Sequence, residues 1–379
     1  MWKKLTLIAA LVSLAALLVL PSATTVAKPP PKTVPGGPGL IAMDIYWDGY
    51  IALINPDGTG AVSVALEDGL SSFRPAWSPR FSDGTVKLAY PGYHFTTQTG
   101  HLNVLNVFDN VGVVGATPQL SLRGPTRVLD GIHTTYNLDW SPAEPEVVNG
   151  IWTGRDKVRV AYDVYYSRQS EVIYIWDLIY DTRDQSFSVD PASPLPAVLD
   201  PGSGAYAFGA RYMSPQFSPD GQWLALYRED GLPDGTWHYS IWLAKADGLE
   251  DPRVLIDAGP GVESCDPAWS PLWSEAGGYQ LAFVRGSYQR SKGLRLLVGD
   301  LYVVPLSNNM DVGPIRRLTQ SDTIREQCPT WSPDGTQIAF WAPYALGKVV
   351  DLTSGTAVEY NLGAGYRPDW SPMNLPRLP

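Results

Sequence analysis

A chain of 379 residues can bury the core of one large domain or two ordinary ones, and its 36 glycines, 34 prolines, 14 tryptophans and 20 tyrosines favour short strands and tight turns over long helices. A helical bundle is excluded on that composition. With 28 basic against 38 acidic side chains, a net charge of −10 and no large basic cluster, the chain also opposes the counterion release that drives nucleic-acid binding.

Residues 1–27 read as a secretory signal: Lys3 and Lys4, an apolar run from Leu5 to Leu20, then Pro21 to Ala27, with Thr25 and Ala27 at the small-residue positions before a cut at Lys28. The alternative is an uncleaved anchor, because the apolar run falls just short of a full span. No cysteine lies in or just after the run, so a lipid-anchored form is not expected. Residues 28–38, KPPPKTVPGGP, are expected to be a stiff solvated linker, with the folded domain over residues 39–379. The mature chain is therefore expected to be secreted or periplasmic, monomeric and without a stable membrane span.

The folded part repeats one turn, aromatic-Ser-Pro, six times: at Trp77, Trp140, Phe217, Trp269, Trp331 and Trp370. Two copies continue as Asp-Gly, at Asp220-Gly221 and Asp334-Gly335, where Pro presets one turn angle and Gly supplies a positive one. An apolar strand follows the first five turns, as in Leu88-Ala89-Tyr90, Val160-Ala161-Tyr162 and Gln337-Ile338-Ala339-Phe340, and a second strand follows it. About four antiparallel strands per repeat make a propeller blade. After the sixth turn only seven residues remain, and the missing strands are found at the other end, in Leu40 to Met43, Tyr50 to Ile54 and Val62 to Leu66. The predicted fold is all-β, a six-bladed β-propeller whose N- and C-terminal strands share one blade and remove the free edge.

The pattern P-x-W-S-P-D-G…I-A-F, clearest over Cys328 to Phe340, resembles the TolB-like propellers, whose PD40 repeat is similar to that of WD40 propellers. The resemblance covers residues 39–379. It departs in a blade-two insertion from Ala143 to Lys157, in Phe217 for Trp, and in having a proline linker where TolB-like proteins carry an extra N-terminal domain. The repeat is also similar to the propeller lid of prolyl oligopeptidases, but no G-x-S-x-G elbow of an accompanying hydrolase domain is present.

Cys265 lies four residues before its Trp and Cys328 three before its own, so strict alternation would aim them at opposite faces of consecutive blades. A Cys265–Cys328 disulfide between blades four and five is expected in an oxidising compartment, against the alternative of two buried thiols.

No catalytic residue, metal site or cofactor is predicted. His94, His101, His133 and His238 fall on the channel-mouth face but scatter over three blades without metal-ligand spacing. Aligning blades on the aromatic gives a ring three residues earlier: Arg74, Asn137, Ser214, Asp266, Cys328 and Arg367. Arg74 and Arg367, from neighbouring blades, could grip a carboxylate or phosphate, or could instead pair with Asp139, Asp369 or Glu326. A basic hairpin tip with Arg290 and loop aromatics including Trp237 and Tyr288 add candidate contacts. Arg74, Asn137, Asp266, Arg367, Trp237, Tyr288 and Arg290 are the candidate ligand-binding residues. The first functional expectation is a non-catalytic propeller recognising a protein or peptide at this face, as resemblance to TolB-like proteins implies. The alternative is a carbohydrate-active or lactone-cleaving enzyme with its site at the channel mouth.

Overall fold

The computed structural model describes residues 39–45, 50–64, 71–72, 74–94, 99–109, 120–132, 137–167, 170–201, 210–233, 237–247, 249–257, 259, 261–273, 277–291, 294–320, 326–342, 346–353, 358–364, 366–372 and 375. The signal and linker expected over residues 1–38 lie outside them. Every regular element among the described residues is a strand. Six antiparallel blades follow one another, with innermost strands Ala76–Trp77, Leu138–Trp140, Ala210–Phe217, Glu263–Trp269, Gln327–Trp331 and Tyr366–Trp370. In the sixth blade Tyr366–Trp370 pairs with Ile41–Ile45, which pairs with Tyr50–Ile54 and then Val62–Val64, so the chain's two ends close the ring.

Six separate apolar clusters fill the six interfaces between consecutive blades, and each contains the aromatic of one aromatic-Ser-Pro turn packed against the preceding blade. The second strand explains how. Its core reads large-Ala-large in every blade: Ile41-Ala42-Met43, Leu88-Ala89-Tyr90, Val160-Ala161-Tyr162, Leu224-Ala225-Leu226, Leu281-Ala282-Phe283 and Ile338-Ala339-Phe340. Because strand side chains alternate faces, the large residues meet the preceding blade and the alanine the following one. Leu224 and Leu226 lie in one cluster while Ala225 shares the next with Trp269. Ala282 likewise shares its cluster with Trp331, and Ala42 with Trp77. The missing side-chain volume at each alanine is the space the next aromatic occupies, which is how large and small residues reach interior packing density.

The serine of the turn closes each blade chemically. The backbone N–H of Ser78, Ser141, Ser218, Ser270, Ser332 and Ser371 donates to the carbonyl of the residue just before the large-Ala-large run of the second strand at 2.8–2.9 Å. The hydroxyls of Ser78, Ser141, Ser218, Ser332 and Ser371 accept that residue's N–H in return, so Leu40 and Ser371 repeat across the chain ends the bond made within other blades. Indole donors add bonds between blades: Trp269 Nε1 to Gln216 O and Trp331 Nε1 to Ala268 O, both at 3.0 Å.

Blade two is the exception. The insertion expected from Ala143 to Lys157 forms a hairpin, Glu144–Val148 against the start of Ile151–Ser167. Glu171 and Ser170 also pair in parallel with Arg211 and Ala210, joining blades two and three in one sheet.

The expected disulfide is not formed: Cys265 and Cys328 are both thiols. A bulge between Cys265 and Ala268 breaks the strict alternation assumed for the strand. Cys265 packs with Tyr227 of blade three and Val284, on the side away from blade five, whereas Cys328 lines the central channel.

Candidate functional site

The six ring positions do converge. Arg74, Asn137, Ser214, Asp266, Cys328 and Arg367 line one axial cavity of about 90 Å³, together with Asp139, Gln216, Thr330 and Asp369 from the next ring down. At roughly 30 Å³ per water it holds a few waters or one small group, so it is the narrow floor of a channel. Five of the six residues sit in the left-handed region, Arg74 at φ 53°, Ser214 at 50°, Asp266 at 50°, Cys328 at 51° and Arg367 at 48°. Each precedes a proline, and the accompanying bulges turn the backbone so that its side chain faces the axis.

One level nearer the mouth, strand register places Asp44 and Asp163 in equivalent positions, three residues beyond the partners of Trp370 and Trp140. They belong to blades six and two, on either side of blade one and its Arg74. Asp163 is a strut: it accepts the Asn137 backbone N–H at 2.8 Å, the Asn137 side-chain N–H, and the Ser214 N–H at 3.2 Å, while Arg74 donates to the Asn137 side-chain oxygen Oδ1. Asp44 differs. It is 1% exposed, neither carboxylate oxygen has a hydrogen-bond partner, and burial pushes it up to about 6 against the pull of Arg367 and Arg74.

Glu171, also 1% exposed with Oε1 unpartnered, is pushed well above the usual carboxylate range by burial and by the charges of Asp163 and Glu229, against Arg211 and Arg74. Arg211 pairs with Glu229 and lies 4.3 Å over the Trp237 ring. Burial raises the Cys328 thiol to about 12, with the Asp266 charge adding, and Asp266 Oδ2 accepts the Cys328 N–H at 3.2 Å. Below the ring, Asp369 accepts the Trp77 N–H at 2.6 Å and Asp139 the Phe217 N–H at 2.7 Å. Glu326 accepts the Leu301 N–H at 2.9 Å. All three suggested ion-pair acceptors thus brace backbone.

The other expected contacts fare differently. Trp237 serves as the stacking face for Arg211. His238 is held between Asp257 and Glu263 at 3.1 and 3.3 Å. The side chains of Tyr288, Arg290, His94 and His101, and all of His133, lie outside the described residues. Among those described, no group of three or more His, Cys, Asp or Glu could hold a metal ion. The sequence reading missed Asp44, Asp163 and Glu171. The first two carried a signal, since Ile41-Ala42-Met43-Asp44 and Val160-Ala161-Tyr162-Asp163 place an Asp at one register in two blades.

No protein-family model and no curated protein matches the sequence. Solved structures similar to the chain include an α-L-arabinofuranosidase of Fusarium graminearum, at 10% identity and TM-score 0.46 over 89% of each chain. An oligogalacturonate lyase of Vibrio parahaemolyticus aligns at 10% identity and TM-score 0.37, covering 85% of this chain and 73% of its own. A GH43_1 enzyme of Xanthomonas citri aligns at 11% identity and TM-score 0.31, covering 69% and 93%. The expectation of a non-catalytic module that recognises a protein or peptide does not stand. Next to the channel floor the chain presents buried carboxyls with unpartnered oxygens where a recognition surface would present broad apolar contact. The chain is an all-β six-bladed propeller with a charged, buried cluster at the floor of its channel.

Proposed function

We propose that the chain is a carbohydrate-active enzyme that cleaves a glycosidic bond in the channel above its narrow floor, at the level of Asp44. The observation that carries this is Asp44: a buried carboxyl with both oxygens unpartnered, facing Arg74 and Arg367 and protonated up to about pH 6. Glycoside cleavage needs a carboxylic acid to protonate the leaving oxygen, and such a donor works best with a pKa near the operating pH. Asp44 takes that role. Asp266, in blade four and two blades round the ring from Asp44, with one oxygen fixed by the Cys328 N–H, is the second carboxylate. Arg74 and Arg367 hold an anionic group of the substrate. The carbohydrate-active names among the structural neighbours agree with this reading, but at identities near 10% they speak to fold, and the chemistry rests on the channel. The proposal keeps the expected extracytoplasmic location, where polysaccharides are met, and takes the TolB-like pattern as a likeness of repeat construction.

The test is turnover of a panel of aryl glycosides and plant-wall polysaccharides, read by released reducing ends across pH 4–9. Wild type is expected to lose activity as pH rises through about 6, as Asp44 ionises. Asp44→Asn should lower kcat by about 10²–10⁴-fold with an unchanged melting temperature. Absence of turnover and of binding across the panel, or an Asn variant with wild-type kcat, overturns the assignment.

A further inference from the structure

The blade-two hairpin carries a feature that no role in the channel accounts for. Glu144–Val148 and the start of Ile151–Ser167 meet through Asn149-Gly150, both at positive φ (52° and 77°), the signature of a tight two-residue turn. Four large apolar side chains stand at this tip, Val147 at 56% exposure, Val148 at 53%, Ile151 at 71% and Trp152 at 46%. Val148 is opposite Ile151 and Val147 opposite Trp152, so one pair lies on each face of the hairpin. A hairpin that docks flat on a surface needs only one apolar face. Two apolar faces call for surroundings that are apolar on both sides.

We infer that this tip inserts into a zwitterionic lipid surface. The apolar part is two residues deep on each strand, about 7 Å, within the roughly 5–10 Å by which interfacial segments enter a bilayer. It ends at a polar pair, Thr153 Oγ1 donating to Glu146 Oε2 at 2.8 Å. The Trp152 Nε1–H is already bonded to the Arg155 carbonyl at 3.1 Å, so its ring enters without an unmet donor. The collar behind the tip is close to charge balance with no basic excess, Glu144, Glu146, Asp181 and Asp190 against Arg155, Lys157 and Arg183, with Arg155 and Arg183 both on Asp181 and Lys157 on Asp190. That balance suits zwitterionic headgroups, where anionic lipid would call for a net basic collar. Four side chains are also far too little area for a stable dimer, which needs roughly 1,200 Å² or more. Tip and channel do not compete: Ile151 and Asp163 are on one strand, separated by roughly 40 Å of extended chain.

The compact unit Gly36–Pro379, which holds all six blades, is the sample for flotation with phosphatidylcholine vesicles. Wild type should float, with partition unchanged between 0.1 and 0.5 M salt, as expected when no net basic collar contributes. Val148→Ser with Ile151→Ser should cut partition at least tenfold at an unchanged melting temperature. Brominated phosphatidylcholine should quench the fluorescence that Trp152→Phe removes. Failure to float, equal flotation of the double variant, or binding abolished by salt overturns the inference. So does self-association that the double variant loses without any vesicle binding, which would place the tip in a second copy.

Discussion

Replacing Trp331 by Ala tests the packing rule on which the ring stands. Trp331 is 5% exposed and shares its cluster with Ala282, Leu301 and Val303 of blade four. Its Nε1 donates to the Ala268 carbonyl at 3.0 Å. Truncating a buried aromatic costs about 3–5 kcal/mol in lost transfer energy and cavity. Removing the donor from a buried carbonyl adds about 1–3 kcal/mol where no water replaces it. A loss of about 4–8 kcal/mol is therefore expected in equilibrium urea unfolding, followed by both fluorescence and far-ultraviolet circular dichroism. Trp331→Phe keeps most of the ring and loses only the donor, and should cost about 1–2 kcal/mol. The m value should not change if the closed ring unfolds as one unit. A loss under about 1 kcal/mol for Trp331→Ala, or equal losses for the two variants, would refute the view that the aromatic fills the space left by Ala282.

Two further outcomes follow from buried titratable groups. Burial raises Asp369 from its ordinary 3.8 to about 7, opposed by the Trp77 N–H, so the folded protein keeps its proton while the unfolded chain releases it. Its contribution is therefore intact below about pH 4 and lost as pH rises to about 7, by up to roughly 4 kcal/mol. Asp369→Asn should flatten that part of the stability curve measured by urea titration, and an unchanged slope would show that Asp369 does not titrate there. The Cys328 thiol, pushed up to about 12 by burial, should resist iodoacetamide in the folded protein. Both cysteines should label in urea without reductant, and labelling that requires reductant would restore the disulfide.

The architecture was legible because it rests on repetition. The tripeptide at Trp77, Trp140, Phe217, Trp269, Trp331 and Trp370 marks six blades, and the shortage of strands after Trp370 marks the closure that Leu40 and Ser371 make. The ring of six also came directly from that alignment. What failed did so where strand periodicity is interrupted. Counting from Cys265 and Cys328 to their tryptophans assumes two residues per pleat, and the bulges before Ala268 and Thr330 break that count. Asp44 and Asp163 each end a run whose dominant signal is apolar, Ile41-Ala42-Met43 and Val160-Ala161-Tyr162, which masks the charge although the two share a register. Glu171 carried no local signal. It reaches the site through the parallel contact with Arg211, a pairing between blades that no repeat announces.

The ring residues themselves argue that the channel is more than a by-product of closing six blades. A non-glycine residue in the left-handed region costs roughly 1–2 kcal/mol, and the residue before a proline is further restricted. Five such residues recur here, so the total is about 5–10 kcal/mol, as large as the whole stability of an ordinary domain. Glycine would make the same bend at little cost. None of the five positions is glycine; they hold Arg74, Ser214, Asp266, Cys328 and Arg367, two cations, an anion, a hydroxyl and a thiol. A purely architectural turn would be met by one residue type in every blade, as the aromatic and the serine nearly are. Different chemistry at one strained position in each blade is what a site assembled on the axis requires, since each blade can contribute only one side chain at that depth. The blade without the strain supports the same view: Asn137, followed by Leu138 in place of proline, spends its side chain on Arg74 and Asp163, holding two neighbours in place.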